Sequence, residues 1–160
     1  IIQSALDAGA YDQFFLPDAM IGDSLTAAIG EDLNGSIGTV PGTDSNGSTI
    51  YTELTKMDGF KNGPYSPESY DAAAMVLLAM QAAGTTDSQA VSAKMFDVAN
   101  APGEQILPGE LARGLEILAA GGEIDYVGAT ALEMIGGGES AGSYREILVK
   151  DQQNTTVRYR

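Results

Sequence analysis

The stretch that most limits how this chain can fold is residues 63–84, GPYSPESYDAAAMVLLAMQAAG, the most apolar and best punctuated helix in the sequence. Ser66 is placed to cap its first turn. Pro67 falls at the first helical position, where the missing N–H costs nothing, and Gly84 can close the far end in a left-handed conformation. Between residues 72 and 83 the only polar side chain is Gln81. A helix apolar on nearly every face, yet too short to cross a bilayer, is expected to be buried against a sheet or between layers. Gly63, Pro64 and Tyr65 place an aromatic ring at the mouth of this helix, where backbone N–H groups and the dipole are open to a ligand. The same spacing suits a Tyr65 that only packs.

A chain of 160 residues fits one domain, but its opening IIQSAL reads as the middle of a helix, with neither an initiator Met nor a leader. It is expected to be a piece of a longer protein. No apolar run approaches the length of a membrane span, so no direct membrane insertion is expected. The 22 acidic and 8 basic residues leave a net charge of −14, which repels phosphate backbones, so a nucleic-acid partner is not expected. His and Cys are absent, which removes from this stretch the usual zinc ligands, thiol catalysis and any Ser–His pair. No metal, cofactor or catalytic residue is expected.

In chain order, residues 1–8 finish a helix ended by Gly9, and 12–16 form a short apolar strand ended by Pro17. Asp23 or Ser24 is placed to cap a second helix carrying Leu25, Ala28, Ile29 and Leu33, closed by Asn34 and Gly35. A strand over 37–40 is broken by Pro41 and Gly42. Residues 43–48, TDSNGS, read as a loop or an interdomain crossing, followed by a short helix with Ile50, Tyr51, Leu54 and Met57, and a loop over 58–63. After Gly84, Thr86 and Gln89 have capping-box spacing for a helix to about Ala99. Residues 100–105 read as a loop and Pro108 as the start of a further helix. The rest is strand-like: 131–135, a glycine-rich turn, and a hairpin of 144–149 and 155–159. Alternating helices and strands define an α/β class.

Three motifs invite a functional reading. Residues 138–142, GESAG, match the nucleophile elbow of serine hydrolases, but an elbow needs a following helix and a later His, and neither is present. Asp44, Asn46 and Ser48 begin like a calcium loop, but Thr49 and Thr55 stand where Gly and a bidentate Glu are required. Asp18 is different: the strand before it delivers a carboxylate through Pro17 to its C-terminal end, where open α/β sheets bind ligands. An ordinary loop Asp fits the pattern equally well.

Taken together, QSALDAG, QFFLPDAMIGDSL, GPYSPESYDAAAMVLLAMQAAGTTD and IDYVGATALEMI resemble the C-terminal half of type I periplasmic binding proteins, closest to the branched-chain amino-acid-binding group that serves ABC importers. The resemblance runs in order over nearly the whole chain. Its most specific parts are the segment ending at Asp18 and the helix start from Tyr65 to Ala72. It implies two Rossmann-like lobes joined by three crossings that close on a ligand like a hinged clamp. Residues 1–42 would belong to the second lobe and 43–142 to the first, with 143–160 returning to the second; the N-terminal part of the protein would be absent. Asp18 falls where relatives place the acidic partner of a ligand ammonium, and Tyr65 where they place an aromatic wall. Contacts to the ligand carboxylate would precede Ile1. The turn at 136–141 departs from the acidic, Gly-containing turn of many relatives, so no ligand contact is placed there.

The resemblance thus implies a periplasmic or otherwise extracytoplasmic receptor that captures a small amino-acid-like solute without chemistry and delivers it to the membrane permease of an ABC importer. An alternative is a regulatory sensor of the same fold, detecting amides or another solute. An esterase fragment ranks last, because it needs a His that this stretch does not supply.

Overall fold

The computed structural model describes residues 1–57 and 59–160. Asp58, the first residue of the expected 58–63 loop, lies outside them. In chain order the elements are α1 (Ile2–Asp7), β1 (Phe15–Leu16), a 3₁₀ turn (Asp18–Met20), α2 (Asp23–Ile29), a second 3₁₀ turn (Gly30–Leu33) and β2 (Ile37–Pro41). Then come α3 (Asn46–Leu54), α4 (Ser66–Ala83), α5 (Ser88–Ala99), β3 (Glu104–Ile106), α6 (Leu111–Ala119) and β4 (Ile124–Tyr126). The chain closes with β5 (Met134–Gly136), β6 (Glu139–Ser140), β7 (Tyr144–Lys150) and β8 (Gln153–Tyr159). They form two compact units, one of residues 1–43 with 143–160, the other of 44–142.

The first unit is a four-stranded sheet in the order β1-β2-β7-β8. β1 and β2 run parallel, with Leu16 opposite Gly38, and the other pairings are antiparallel. Period-two alternation sends Val40, Ile147 and Val149 to the buried face, where Ile2, Leu16, Ile21 and Leu33 complete the core. Position 38 has to be glycine, because a Cβ there would collide with the backbone oxygen of Leu16. β7 and β8 are joined by Asp151 and Gln152, both at positive φ, the backbone of a two-residue type I′ hairpin turn.

The second unit packs α4, α5 and α6 around the parallel pair β3–β4. Its core is Ala74, Met75, Leu78, Ala79, Val91, Val98, Ile106, Ile124 and Tyr126. Gly114 lets α6 approach Leu78 of α4 closely. Ser45 and Ser48 form a reciprocal capping box that starts α3 inside the stretch expected to be a loop.

Several local expectations change. Tyr65, at φ 67 and ψ 8, occupies the N-cap of α4, and Ser66 is already helical, its hydroxyl accepting from the Gly63 N–H at 2.9 Å. The helix is buried on one face only. Ala74, Met75, Leu78 and Ala79 face the core, while Val76 and Leu77 are open, since residues one apart on a helix point in different directions. Gly22 rather than Asp23 or Ser24 is the N-cap of α2. Asp87 caps α5, its carboxylate accepting from the Ala90 N–H at 3.0 Å, in place of Thr86. Of residues 100–105, read as loop, the last two join Ile106 in β3 because β4 offers them a parallel ladder. Helix α6 begins three residues after Pro108. Of 131–135 only the end is strand, paired with β6, so Ser140 lies in an exposed β-hairpin and not on an elbow.

Candidate ligand-binding site

The parallel ladders place two C-terminal strand edges, one in each unit. In the first unit β1 ends at Leu16, Pro17 turns the chain in extended backbone (φ −65, ψ 161), and Asp18 opens the 3₁₀ turn. Its carboxylate accepts from its neighbour's N–H, Ala19, at 2.7 Å, which fixes the side chain at the head of the turn. The group is exposed, and no cationic side chain pairs with it among the described residues. An exposed carboxylate at this edge can receive a cationic group of a ligand.

In the second unit the N-terminal half of α4 lies against the edge formed by the ends of β3 and β4. The Gly109 N–H, just beyond β3, donates to the Tyr70 hydroxyl at 2.8 Å. Next to it Asp71, 2 % exposed, is held by four donors from the end of β4. Its Oδ1 accepts from the Tyr126 hydroxyl and the Ala129 N–H, both at 2.8 Å. Its Oδ2 accepts from the Thr130 N–H at 2.8 Å and the Thr130 hydroxyl at 2.7 Å. A buried carboxylate is tolerated only when its lone pairs are used in this way. Burial, and then the Asp71 charge, push the Tyr126 phenol far above its ordinary range, so it stays a donor. Gly128, at φ 60, is pressed against this carboxylate and leaves no room for a side chain.

Tyr65 stands at the mouth of α4 in a left-handed conformation that a non-glycine residue adopts at a cost of about 1 kcal/mol or more, a kind of strain that concentrates at functional positions. Asp18 and Tyr65 therefore belong to different units. The residues that sequence reasoning missed are Asp71, Tyr70 and Tyr51. The signal for Asp71 was its position three, four and seven residues before Ala74, Met75 and Leu78, which puts it on the buried stripe of the helix. Among the described residues no cluster of His, Cys, Asp and Glu could hold a metal ion, and no helix is long and apolar enough to cross a membrane.

The chain has a mixed α/β fold that matches part of a type I periplasmic binding protein. Among solved structures it is similar to the leucine-binding protein LivK of Thermotoga maritima, with a TM-score of 0.69 at 16% sequence identity, over 98% of this chain and 39% of that one. Among curated proteins it is similar to the chemotactic signal transduction system substrate-binding protein BasB of Halobacterium salinarum, 32% identical over 96 residues, which are 58% of this chain and 23% of BasB. The chain thus spans less than half the length of either relative. No family model matches it.

Proposed function

We propose that this chain is part of an extracytoplasmic solute-binding receptor that takes a small amino-acid-like ligand between two lobes. The 1–43 and 143–160 unit would be the second lobe and the 44–142 unit the first. Asp18 would pair with the ligand's ammonium group and Tyr65 would wall its side chain. The observation that carries this reading is the exposed Asp18 carboxylate at the C-terminal edge of β1, without a protein cation among the described residues, in a chain with this fold. An ammonium enclosed by lobe closure loses hydration, and a carboxylate partner offsets that loss. Binding requires no chemical step.

The test is calorimetric titration of the full-length protein with L-amino acids, repeated on Asp18→Asn. Loss of one partner of an enclosed ion pair is expected to weaken binding by about 2–5 kcal/mol. Equal affinity in the variant would remove Asp18 from the site.

The occupied receptor would deliver its solute to the permease of an ABC importer, as the branched-chain group does. A second reading is favoured by the likeness to BasB, the substrate-binding protein of a chemotactic signal transduction system. In that reading the same closure, on an amino acid, an amide or another solute, is reported to a membrane signalling partner. Cross-linking of the ligand-saturated protein in its native membrane separates the two: capture of a permease supports import, capture of a transducer supports sensing.

A further inference from the structure

Between α3 and the start of α4 the second unit contains a cavity of about 520 Å³, within the range of small-molecule sites. Its walls are chiefly aromatic and apolar: Tyr51, Met57, Phe60, Pro64 and Tyr70, with the hydroxyl-bearing Thr55, Ser66 and Ser69. Tyr51 and Tyr70 form a tilted pair, ring centroids 5.3 Å apart at 59°. The contact packs one ring against the other, so the two make a single aromatic wall.

Tyr51 and Thr55 of this lining are tied to Asn62 by a closed circuit of hydrogen bonds. The Tyr51 hydroxyl donates to Asn62 Oδ1 at 3.0 Å, Asn62 Nδ2 donates to Thr55 Oγ1 at 2.7 Å, and the Thr55 hydroxyl donates to the Tyr51 carbonyl at 2.9 Å. The Tyr51 and Thr55 hydroxyl donors are thereby used within the protein. Met57 and Phe60 are 66 % and 48 % exposed, so the rim carries apolar surface that an occupant would cover. The field beside this wall is negative: after burial itself, the charges of Asp71 and Glu68 hold the Tyr51 phenol above its ordinary range. An anionic guest would meet the same field.

We infer that this cavity is a receptor for an uncharged, ring-sized apolar group, held between the Tyr51–Tyr70 wall and the Met57–Phe60 rim. The identity of the molecule carrying that group rests on the solute-receptor reading. The cavity's preference for an apolar ring over a carboxylate rests on its apolar walls and on the Asp71 and Glu68 charges beside Tyr51.

The probes are indole, which has neither ammonium nor carboxylate, and benzoate, a ring of similar size with a negative charge. Each is titrated into the full-length protein while the Met57 methyl and the Tyr51, Phe60 and Tyr70 ring resonances are followed by NMR. Indole is expected to shift all four groups, saturating at millimolar concentration, with benzoate at least tenfold weaker. Phe60→Ala, an exposed rim position, is expected to weaken indole at least fivefold, and Ser69→Leu, which fills the cavity from the helix side, to abolish the shifts. Asp18→Asn is expected to leave indole binding unchanged. Indole shifts absent from these residues, or equal in Phe60→Ala, or matched by benzoate, would overturn the assignment. If indole seats as expected while no amino acid binds, the cavity stands and the amino-acid reading falls. If an amino acid binds through Asp18 and indole leaves the cavity untouched, the reverse holds.

Discussion

Replacing Asp71 by Asn would test whether the second unit is held by a buried carboxylate or merely decorated with one. Four donors converge on it: the hydroxyls of Tyr126 and Thr130, which can rotate, and the N–H groups of Ala129 and Thr130, which cannot. Asn has the same shape but turns one acceptor oxygen into an NH₂. Whichever way the amide faces, one backbone N–H then points at another donor and is left unpaired in a buried place, which costs about 1–3 kcal/mol. The one hydroxyl and the one backbone N–H that still reach the amide oxygen exchange a charged acceptor for a neutral one, about 1 kcal/mol each. The expected loss is about 3–5 kcal/mol, a large share of the ~5–15 kcal/mol that keeps a domain folded. Tyr126→Phe removes one donor of the four and is expected to cost less, about 1–2 kcal/mol. Urea unfolding of the full-length protein, followed by far-ultraviolet circular dichroism, measures both. An Asp71→Asn loss under ~1 kcal/mol, or one no greater than that of Tyr126→Phe, would refute the donor count as the source of stability.

Other outcomes follow from the same physical account. Gly128→Ala would strain a left-handed backbone and drive a methyl into the Asp71 carboxylate, so a loss of more than about 2 kcal/mol is expected in the same unfolding experiment. Ser45→Ala removes the acceptor of the Ser48 N–H at the start of α3 and is expected to cost about 1 kcal/mol. The Glu146 carboxylate meets Arg158 at 2.7 Å and Arg160 at 3.5 Å, and these hold its titration below the ordinary carboxylate value. Its contribution is therefore present above about pH 4.3 and lost as pH falls through the lowered value, so wild type and Glu146→Gln should differ at neutral pH and converge in acid; a constant difference would contradict it. With a net charge of −14, the melting temperature is expected to rise as salt goes from 0.1 to 1 M and the screening length falls from about 10 to about 3 Å; a flat response would show self-repulsion to be unimportant.

Much of the architecture was legible because punctuation and periodicity agree. Gly84 ends α4 at φ 65, and the 144–149 and 155–159 runs are the β7–β8 hairpin. What was not legible depends on partners distant in sequence. Residues 104–106 include two polar side chains and acquire strand character from a ladder to residues 124–126. Ser66 looks like a cap, but the left-handed Tyr65 takes that place and turns the hydroxyl back to Gly63. Asp18 and Tyr65, the proposed ligand contacts, could be singled out from strand ends and helix starts. The aromatic cavity could not, because Tyr51, Phe60 and Tyr70 meet only when α3 folds back beside α4. Asp71 was hidden by a reading that treated α4 as uniformly apolar, when its buried stripe includes a charge.

The order of the units along the chain has a kinetic consequence. The sheet of the first unit needs β2 beside β7, with Pro41 opposite Tyr144, so about a hundred residues must be looped out before that ladder can form. Closing a flexible loop of that length costs about 4 kcal/mol in chain entropy. Residues 44–142, by contrast, are continuous and hold their own core. Once folded, they bring their two ends into fixed positions and shorten the loop, so they are expected to form first and act as the template on which the discontinuous sheet assembles. Pulse-labelled hydrogen exchange during refolding reads this directly: protection of Leu78 and Ile106 should precede that of Val40 and Ile147, and the opposite order would exclude it.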